Sequence, residues 1–426
     1  MNNKRKLLLW WITSFVLALI VLLYLSKKYC MPYFENNSYY NNLDRILGAL
    51  EGGYDIDTIR GNNHGPLYMI LLGHFGDFLR VYKAYKIAFC FQFGMSVLSL
   101  SVFSTILFYW SEYSVPIAGI MYTISMRVTL PDMFINPNSK YSYWAGMAFA
   151  LMCIPLVIQL AVKKHEEKQY CETPVLVLIL LIMSLENIIR QHFALPIMAA
   201  LMLFLFELLI KNKSKRLIIF IEIIVVAVAF FYVPPAAKTL YDVAIGKIDI
   251  QTVERPWHGI WCGLGVYDNP YGFVWDDSCA DNYVKSVNPD AVYCTDPYYD
   301  ILRDRVIEVI KEDPIWVAKV YIRKLIASIY ICLIGWKKKL FIILGINAIL
   351  MKISGNRESQ IDVFAKYGIV YAIVGILVGT AQGVIGYMDE RYIMPAIACR
   401  DILFIVCALE CILLTKRLML DRIRRD

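Results

Sequence analysis

Long apolar stretches recur along the chain and restrict its fold more than any other feature. The first, Leu7 to Leu25, is uncharged and, at about 1.5 Å of rise per residue, nearly matches the thickness of a bilayer's hydrocarbon layer. Eight more follow: Tyr85 to Phe108, Ser114 to Leu130, Tyr143 to Val162, Pro174 to Ile189, Phe193 to Ile210, Leu217 to Val233, Tyr367 to Ile385 and Tyr392 to Leu414. With 58% hydrophobic and 19% charged residues, the composition excludes an ordinary cytosolic enzyme. The sequence therefore predicts an all-α polytopic membrane protein.

A tenth crossing is expected between Pro314 and Ser354, where two apolar runs compete. Ile315 to Trp336 carries three basic residues, and Leu340 to Ile353 is short for a span. About ten crossings place four basic clusters on one side, which the positive-inside rule makes the cytoplasm. These clusters are Lys163/Lys164/Lys168, Lys211/Lys213/Lys215/Arg216, Lys337 to Lys339, and the tail from Lys416 to Arg425. We therefore expect a multi-pass protein of the plasma or inner membrane with both termini cytoplasmic.

Three segments then fall on the outer face: 26–83, 131–142 and 234–313. We expect residues 1–233 to form an amino-terminal transmembrane module and 314–426 a carboxyl-terminal one. Between them, 234–313 is predicted to be an extracytoplasmic loop or small lobe that joins helices 7 and 8. It has seven basic and fourteen acidic residues, the reverse of the cytoplasmic loops. A connection of this length indicates a function or a folded unit of its own.

The first outer segment carries the acids best placed for chemistry. Glu35 and Asp44 follow the first apolar stretch, and a carboxylate at a partly dry membrane boundary can act as a general base. His64, which precedes Gly65 and Pro66, could orient a phosphate or transfer a proton. Each of these residues could instead be an ordinary solvated loop residue. The sequence leaves the choice between Glu35 and Asp44 open.

Cations at the predicted outer boundary are candidates for binding an anion. Arg190 and His192 lie between two apolar stretches, and Arg391 opens the last one beside Asp389 and Glu390. An arginine can hold a phosphate through two parallel hydrogen bonds. The alternatives are a snorkelling interfacial Arg190 and an Arg391 that pairs with its acidic neighbours.

The long outer segment is rich in aromatic residues around Trp257 and Trp275. Tryptophan faces stack on sugar rings, although a belt at the membrane interface or a small aromatic core would have the same composition. The adjacent Asp276 and Asp277 are a weak signal for a divalent cation, so no residue is assigned as a metal ligand.

Several common functional signatures are missing from the sequence. There is no Walker loop, Gly-x-Gly-x-x-Gly, Gly-x-Ser-x-Gly, His-Glu-x-x-His or Cys-x-x-Cys, and we identify no Cys/His arrangement at zinc spacing. Most of the 11 cysteines lie in apolar runs; Cys262, Cys279 and Cys294 share the long outer segment, where one disulfide could form. The net charge of +7, gathered in short clusters, argues against nucleic acid as a partner.

Four short motifs together resemble the GT-C class of membrane glycosyltransferases. They are an acid soon after the first helix, Gly52-Gly53-Tyr54-Asp55, His64-Gly65-Pro66-Leu67-Tyr68, and Glu390-Arg391-Tyr392-Ile393-Met394-Pro395. The closest likeness is to the branch of protein O-mannosyltransferases and bacterial aminoarabinose transferases, glycosyltransferase family 39-like. The chain departs from that branch in its first acids, because Asn36 follows Glu35 and Arg45 follows Asp44 where the relatives usually have an adjacent Asp-Glu pair.

The resemblance implies an architecture and a reaction. The fold would be GT-C-like, and a sugar would pass with inversion from a polyprenyl-phosphate carrier to an acceptor on the outer face. Glu35 or Asp44 would be the base; Arg190, His192 and Arg391 would bind the donor phosphate; and His64, Asp132, Trp257 and Trp275 would contact substrate. The expected partners are the lipid-linked donor, the bilayer and an unidentified acceptor, and a divalent cation stays an open alternative.

The rival hypothesis is a non-catalytic polytopic protein, such as a lipid-linked-sugar flippase or a component of polysaccharide export or assembly. Transporters mark their path with ionisable residues inside the spans. Glu186, Glu207, Glu222 and Glu410 are the main ones identified here, and their small number favours the enzyme. No internal repeat is found, which argues against a transporter built from duplicated halves.

Overall fold

The computed structural model describes residues 2–30, 84–136, 143–165, 172–190, 192–244, 256–293, 295–354, 360–386 and 388–423. Every regular element in this part of the chain is helical. Five of its helices are long and apolar enough to cross a membrane: Asn3–Tyr29, Cys90–Trp110, Trp144–Lys164, Lys213–Val233 and Asp362–Ile385. The all-α class is confirmed, with helices typical of a membrane protein, and the count of ten crossings stays a prediction.

The amino-terminal helices coincide with the predicted apolar stretches. They are α1 (Asn3–Leu25), α2 (Ala84–Trp110), α3 (Val115–Leu130), α4 (Trp144–His165), α5 (Glu172–Ile189), α6 (Leu195–Lys211) and α7 (Arg216–Ala244). Short π-helical turns follow α1 at Ser26–Cys30 and α3 at Pro131–Ile135. The seventh candidate span ends at Val233, as predicted, and α7 itself continues through two prolines to Ala244. Apolar helices of this kind tolerate proline when their neighbours satisfy the freed backbone groups.

The described residues after α7 form eight further helices. They are α8 (Trp257–Leu264), α9 (Asp277–Val287), α10 (Asp296–Glu312), α11 (Pro314–Leu333), α12 (Lys337–Ser354), α13 (Gln360–Gly379), α14 (Ala381–Ile385) and α15 (Met394–Ile423). A 3₁₀ turn, Glu390–Ile393, leads into α15. Both runs that competed for the tenth crossing are helical, and the break between them contains Gly335 at a φ of 71°, a conformation that glycine adopts without a steric penalty.

Helix α15 lies at the centre of the main bundle, and almost all of its first 21 residues are buried. Helix α13 approaches it through glycines. A Cβ atom on Gly368 would lie 2.7 Å from the Val406 side chain, and one on Gly375 would lie 2.4 Å from Cys399 Sγ. Small residues of this kind allow the close van der Waals packing on which helix association in lipid depends.

The ends of the helices lie at two opposite ends of the bundle. At one end, called the near end here, α3 and α5 finish and α4, α6 and α15 begin. At the opposite, far end, Lys416 of α15 pairs with Glu112, which follows α2, at 2.8 Å. There too, Lys163 of α4 lies 5.1 Å from the ring of Tyr109. Two of the predicted basic clusters therefore share the far end.

The basic cluster Lys337 to Lys339 lies elsewhere, so its predicted grouping with the other clusters is wrong. The Lys339 ammonium is 4.3 Å from the Trp336 ring, which also contacts the Arg400 guanidinium at 4.7 Å. Arg400 is six residues into α15, about 9 Å from the near end at 1.5 Å per residue. The grouping fails because α12 runs in the same direction as α15, from Trp336 beside Phe404 to Asn347, which donates a hydrogen bond to Glu410.

Residues 257–293 and 295–321 pack around a hydrophobic cluster of their own, and together they are called the lobe here. Tyr298, Leu302 and Val306 of α10 are fully buried in it. The lobe contacts the near end of the bundle through Lys324 of α11, whose Nζ donates to the carbonyl oxygens of Gly263 at 3.0 Å and Ile385 at 3.1 Å. The lobe therefore lies beside α14, just ahead of the start of α15.

Candidate functional site

An arginine enclosed by aromatic rings marks the near end. Arg190, which follows α5, donates from Nη2 to the hydroxyl of Tyr143 at 3.1 Å. Its guanidinium lies 4.4 Å from the Tyr143 ring, 5.8 Å from that of Phe193 and 5.9 Å from that of Tyr392. Tyr143 and Tyr392 meet edge to face at 5.9 Å. Cation–π contacts of this kind hold the guanidinium in one place at the end of the bundle.

A second arginine, Arg400, is buried deeper along α15 between two carboxylates. Its Nη2 is 2.6 Å from Asp132 Oδ2 and 2.6 Å from Asp401 Oδ1, and only 3% of the residue is exposed. Its Nη1 donates to the Cys332 carbonyl oxygen at 3.0 Å. Charges can be buried when they are paired and hydrogen-bonded in this way. We call Asp132, Arg400 and Asp401 the charged network.

Of the predicted site residues that the structure describes, Asp132 is the one that joins the charged network. It comes from the π-helical turn after α3, and its side chain remains about a quarter exposed, at 24%. Arg400 thus fixes the carboxylate while part of it stays accessible. Both carboxylates contact the same guanidinium nitrogen of Arg400, so this arginine is already paired within the protein and is a poor candidate for holding a phosphate.

Arg400 and Asp401 were not predicted as site residues, although the sequence contains a signal for both. Both lie inside the predicted stretch Tyr392 to Leu414, together with Glu410. Ionisable residues are rare in apolar spans and usually mark a functional site. The partner, Asp132, is 268 positions away, so the pairing itself depends on the fold.

The other two predicted phosphate ligands, Arg391 and His192, lie at the more exposed part of the near end, called the rim here. Arg391 pairs with Asp389 at 3.3 Å, whereas Glu390 accepts a hydrogen bond from Asn136 at 3.1 Å. Burial opposes the charged form of Arg391, but the Asp389 carboxylate outweighs it, and the pKa of Arg391 is raised. The pairing of Arg391 with an acidic neighbour is one of the two alternatives that the sequence offered.

His192 points toward a different helix. Its ring is 6.3 Å from that of Phe230 in α7, and its backbone N–H donates to Asn187 Oδ1 at 2.9 Å. The φ of His192 is 67°, a left-handed conformation that the Asn187 contact helps to hold. Among the predicted phosphate ligands, Arg190 lies among three aromatic rings, and the Arg391 guanidinium lies 5.5 Å from one of them, the ring of Tyr392.

Trp257 and Trp275 are half-buried and pack against the hydrophobic cluster of the lobe. Their placement matches the small aromatic core that was one alternative for this segment. The lobe also reaches the near end through Tyr267, whose hydroxyl donates to Met388 Sδ at 3.5 Å. The two tryptophans therefore belong to a unit that lies beside the near end rather than to the charged network.

Within the described residues, one group of His, Cys and carboxylate side chains has donor atoms close enough together for a metal ion: His258, Cys262 and Asp277. The sequence assigned none of them as a ligand. The hydrogen bond from His258 lowers the pKa of Asp277. Asp276, its neighbour, instead caps α9 by accepting from the Ser278 backbone N–H at 2.8 Å.

The cysteines of the lobe give a partial answer on the predicted disulfide. Cys262 and Cys279 are free thiols, and Cys294 lies outside the described residues.

Three predicted site residues of the first outer segment, Glu35, Asp44 and His64, also lie outside the described residues. Glu35 follows the Ser26–Cys30 turn by five positions in the sequence, and that turn packs against the Pro131–Ile135 turn that contains Asp132.

Comparison of the chain with protein families, with curated proteins and with solved structures finds no match. The function of the near end is therefore interpreted from its own chemistry. That chemistry consists of a caged guanidinium, a fixed carboxylate and several aromatic faces at one end of an apolar bundle.

Proposed function

We propose that the protein is an integral-membrane glycosyltransferase that moves a sugar from a polyprenyl-phosphate carrier to an acceptor at the near end. The observation that carries this proposal is the position of the charged network below the Arg190 aromatic group. A lipid-linked sugar needs an apolar surface for its chain, a cation for its phosphate and polar or aromatic groups for its ring. In the proposed orientation, the near end is extracytoplasmic, both termini are cytoplasmic, and about ten crossings form a GT-C-like architecture.

The reaction proposed is an inverting displacement. The acceptor hydroxyl oxygen bonds to the anomeric carbon as the bond from that carbon to the phosphate oxygen breaks. The hydroxyl proton passes to a carboxylate, for which Glu35 and Asp44 remain the candidates. The polyprenyl phosphate leaves with one more negative charge than it had in the donor. Arg190 would stabilise that charge, because preorganised cations act most strongly where charge develops in a dry site.

Asp132 and Arg400 have separate roles in this proposal. Asp132 contacts the sugar through the exposed part of its carboxylate. Arg400 is a positioning residue, since its hydrogen bonds hold Asp132 in one orientation while Asp401 and the Cys332 carbonyl hold Arg400. A bidentate or multiply bonded guanidinium is well suited to fix a carboxylate in this way.

The test is a transfer assay with the purified chain in lipid nanodiscs and a panel of sugar-labelled polyprenyl phosphates. One of the two variants Glu35→Gln and Asp44→Asn should abolish transfer, and Asp132→Asn should lower it by about 100-fold or more. Asp389→Asn is the matched control, because it makes the same chemical change at the same end, in a carboxylate paired with the rim residue Arg391. We expect its activity to stay within about threefold of wild type.

Two results would contradict the proposal. One is full transfer activity in Glu35→Gln, in Asp44→Asn and in the double variant. The other is equal loss of activity in Asp132→Asn and Asp389→Asn, which would mean that any lost carboxylate at the near end has the same effect. Size-exclusion profiles of all variants separate misfolding from a chemical defect.

A lipid-linked-sugar flippase or export component is the second candidate, and Glu186 of α5 favours it. Both carboxylate oxygens of Glu186 are buried, and neither has a hydrogen-bond partner among the described residues. An isolated acid inside an apolar helix is typical of a transport path. In vesicles, movement of the intact donor across the bilayer, slowed by Glu186→Gln, would support this second function over sugar transfer.

A further inference from the structure

A second chemical centre lies in the lobe, apart from the charged network. His258 and Cys262 are four residues apart on α8 and therefore share one face of that helix. Asp277 opens α9 and faces them. His258 Nε2 is 2.9 Å from Asp277 Oδ1 and 3.7 Å from Cys262 Sγ, and Cys262 Sγ is 4.0 Å from the same carboxylate oxygen.

These separations are those of ligands around a tetrahedral metal. Zinc binds nitrogen and oxygen at about 2.0–2.2 Å and sulfur at about 2.3 Å, which places neighbouring ligand atoms about 3.3–3.6 Å apart. Each of the three separations in the lobe is within about 0.5 Å of that range. Small rotations of the Asp277 and Cys262 side chains would be enough to admit the ion.

The surroundings of His258 favour metal binding through Nε2. Its other ring nitrogen, Nδ1, is 2.8 Å from the hydroxyl oxygen of Tyr298, a fully buried residue of α10. Metal-binding histidines commonly bond an oxygen through the second nitrogen, which fixes both the tautomer and the ring plane. Tyr293 packs edge-on against the same ring at 5.5 Å. The imidazole is thus already oriented toward Cys262 and Asp277.

The ligand atoms of His258, Cys262 and Asp277 indicate which metal would bind. Thiolate and imidazole are ligands of zinc rather than of calcium or magnesium, which take oxygen. Three protein ligands leave a fourth position, and the Asp277 side chain is 81% exposed, so that position faces solvent. We propose that His258, Cys262 and Asp277 bind one Zn²⁺ ion with water in the open fourth position.

The ion would connect parts of the lobe that reach the bundle. It would join α8 to the start of α9. The carbonyl of Gly263, the next residue after Cys262, accepts the Lys324 hydrogen bond, and Lys324 also bonds Ile385 ahead of α15. Metal binding is therefore expected to order the surface of the lobe that contacts the near end.

The test uses the full-length chain in nanodiscs after removal of its affinity tag. The protein is incubated with Zn²⁺ and separated from free metal. The zinc retained per chain is then measured by elemental mass spectrometry. Wild type should retain about one zinc per chain, and Cys262→Ser, His258→Gln and Asp277→Asn should each weaken binding by about tenfold or more. Cys279→Ser and Asp276→Asn are matched controls that should bind like wild type, and asparagine keeps the helix cap.

Cobalt provides a readout that does not depend on any variant folding. Co²⁺ bound by wild type should show a thiolate charge-transfer band and the visible bands of a tetrahedral site. The proposal is overturned if wild type retains no zinc and shows no cobalt bands, if the three ligand variants bind as tightly as the controls, or if Cys262 is found in a disulfide. Sugar transfer is measured separately, so failure here leaves the proposed function standing.

Discussion

The charged network of the bundle and the candidate metal site of the lobe, formed by His258, Cys262 and Asp277, are built in opposite ways. Asp132 and Arg400 are 268 positions apart in the sequence and meet in a buried environment. His258 and Asp277 are 19 positions apart, and the carboxylate is mostly exposed. The first depends on the packing of the whole bundle, and the second on two short neighbouring helices. Loss of a group should therefore destabilise the protein far more in the bundle than in the lobe.

The largest effect is expected from Arg400→Gln. This change leaves Asp132 and Asp401 without their buried cation, and breaking a buried ion pair costs about 3–5 kcal/mol. Thermal unfolding in detergent should show a large loss of stability. The double variant Arg400→Gln/Asp401→Asn should recover part of it, because one uncompensated charge is removed. Wild-type stability in the single variant would contradict the buried network.

The next largest effect concerns zinc in the lobe. A ligand present at about 100 times its dissociation constant stabilises the state that binds it by about 2.7 kcal/mol. We expect zinc to slow hydrogen exchange in α8 and α9 of wild type and to leave exchange in α13 and α15 unchanged. In Cys262→Ser, zinc should have no effect on exchange. Equal protection of bundle and lobe would mean that the two regions are not separate units.

A pair of glycines on α8 tests how the lobe contacts the bundle. A Cβ atom on Gly263 would lie 2.3 Å from the Ile385 carbonyl oxygen, whereas one on Gly259, a turn earlier, would meet nothing within 4 Å. Gly263→Ala should destabilise the protein by about 1–3 kcal/mol through overpacking. Gly259→Ala should be neutral or slightly stabilising, because alanine favours helix. Equal melting temperatures for the two variants would contradict the contact.

The smallest effect is expected at a surface ion pair. Lys285 and Asp281 lie one turn apart on α9, at 2.6 Å, with the lysine side chain 55% exposed. Exposed pairs of this type contribute about 0.3–0.5 kcal/mol. Lys285→Gln should therefore shift the melting temperature very little, and the shift should vanish at high salt. A loss as large as that of Arg400→Gln would remove the contrast between the two regions.

The helices could be predicted because their signal is local. Each of the nine apolar stretches coincides with a helix, since length and hydropathy are properties of a continuous segment. The continuation of α7 past its span was not predicted, because prolines usually end a helix and here the helix continues past them. The position of Lys337 to Lys339 was missed because it depends on the direction of α12 relative to α15.

The residues of the candidate sites could also be predicted only where their signal is local in the sequence. Arg190 and Asp132 were selected as candidates from their places between apolar stretches, and whether they act in a site stays a prediction. Arg400 was missed as a site residue, and its partner could not be read from a position 268 residues away. The spacing of His258 and Cys262 was readable as one helical turn, whereas the approach of Asp277 to them requires the fold of the lobe. Sequence patterns thus identify single candidate residues better than the distant residues that contact them in the fold.

The most direct test of sugar transfer at the near end uses a donor labelled twice, with tritium in the sugar and radioactive phosphorus in the phosphate. The purified chain in nanodiscs is given this donor with a pool of acceptors. We predict that the sugar label leaves the lipid while the phosphorus label stays with it, and that Asp132→Asn slows this separation far more than Asp389→Asn. If the two labels stay together under every condition, the protein does not transfer sugar from this carrier.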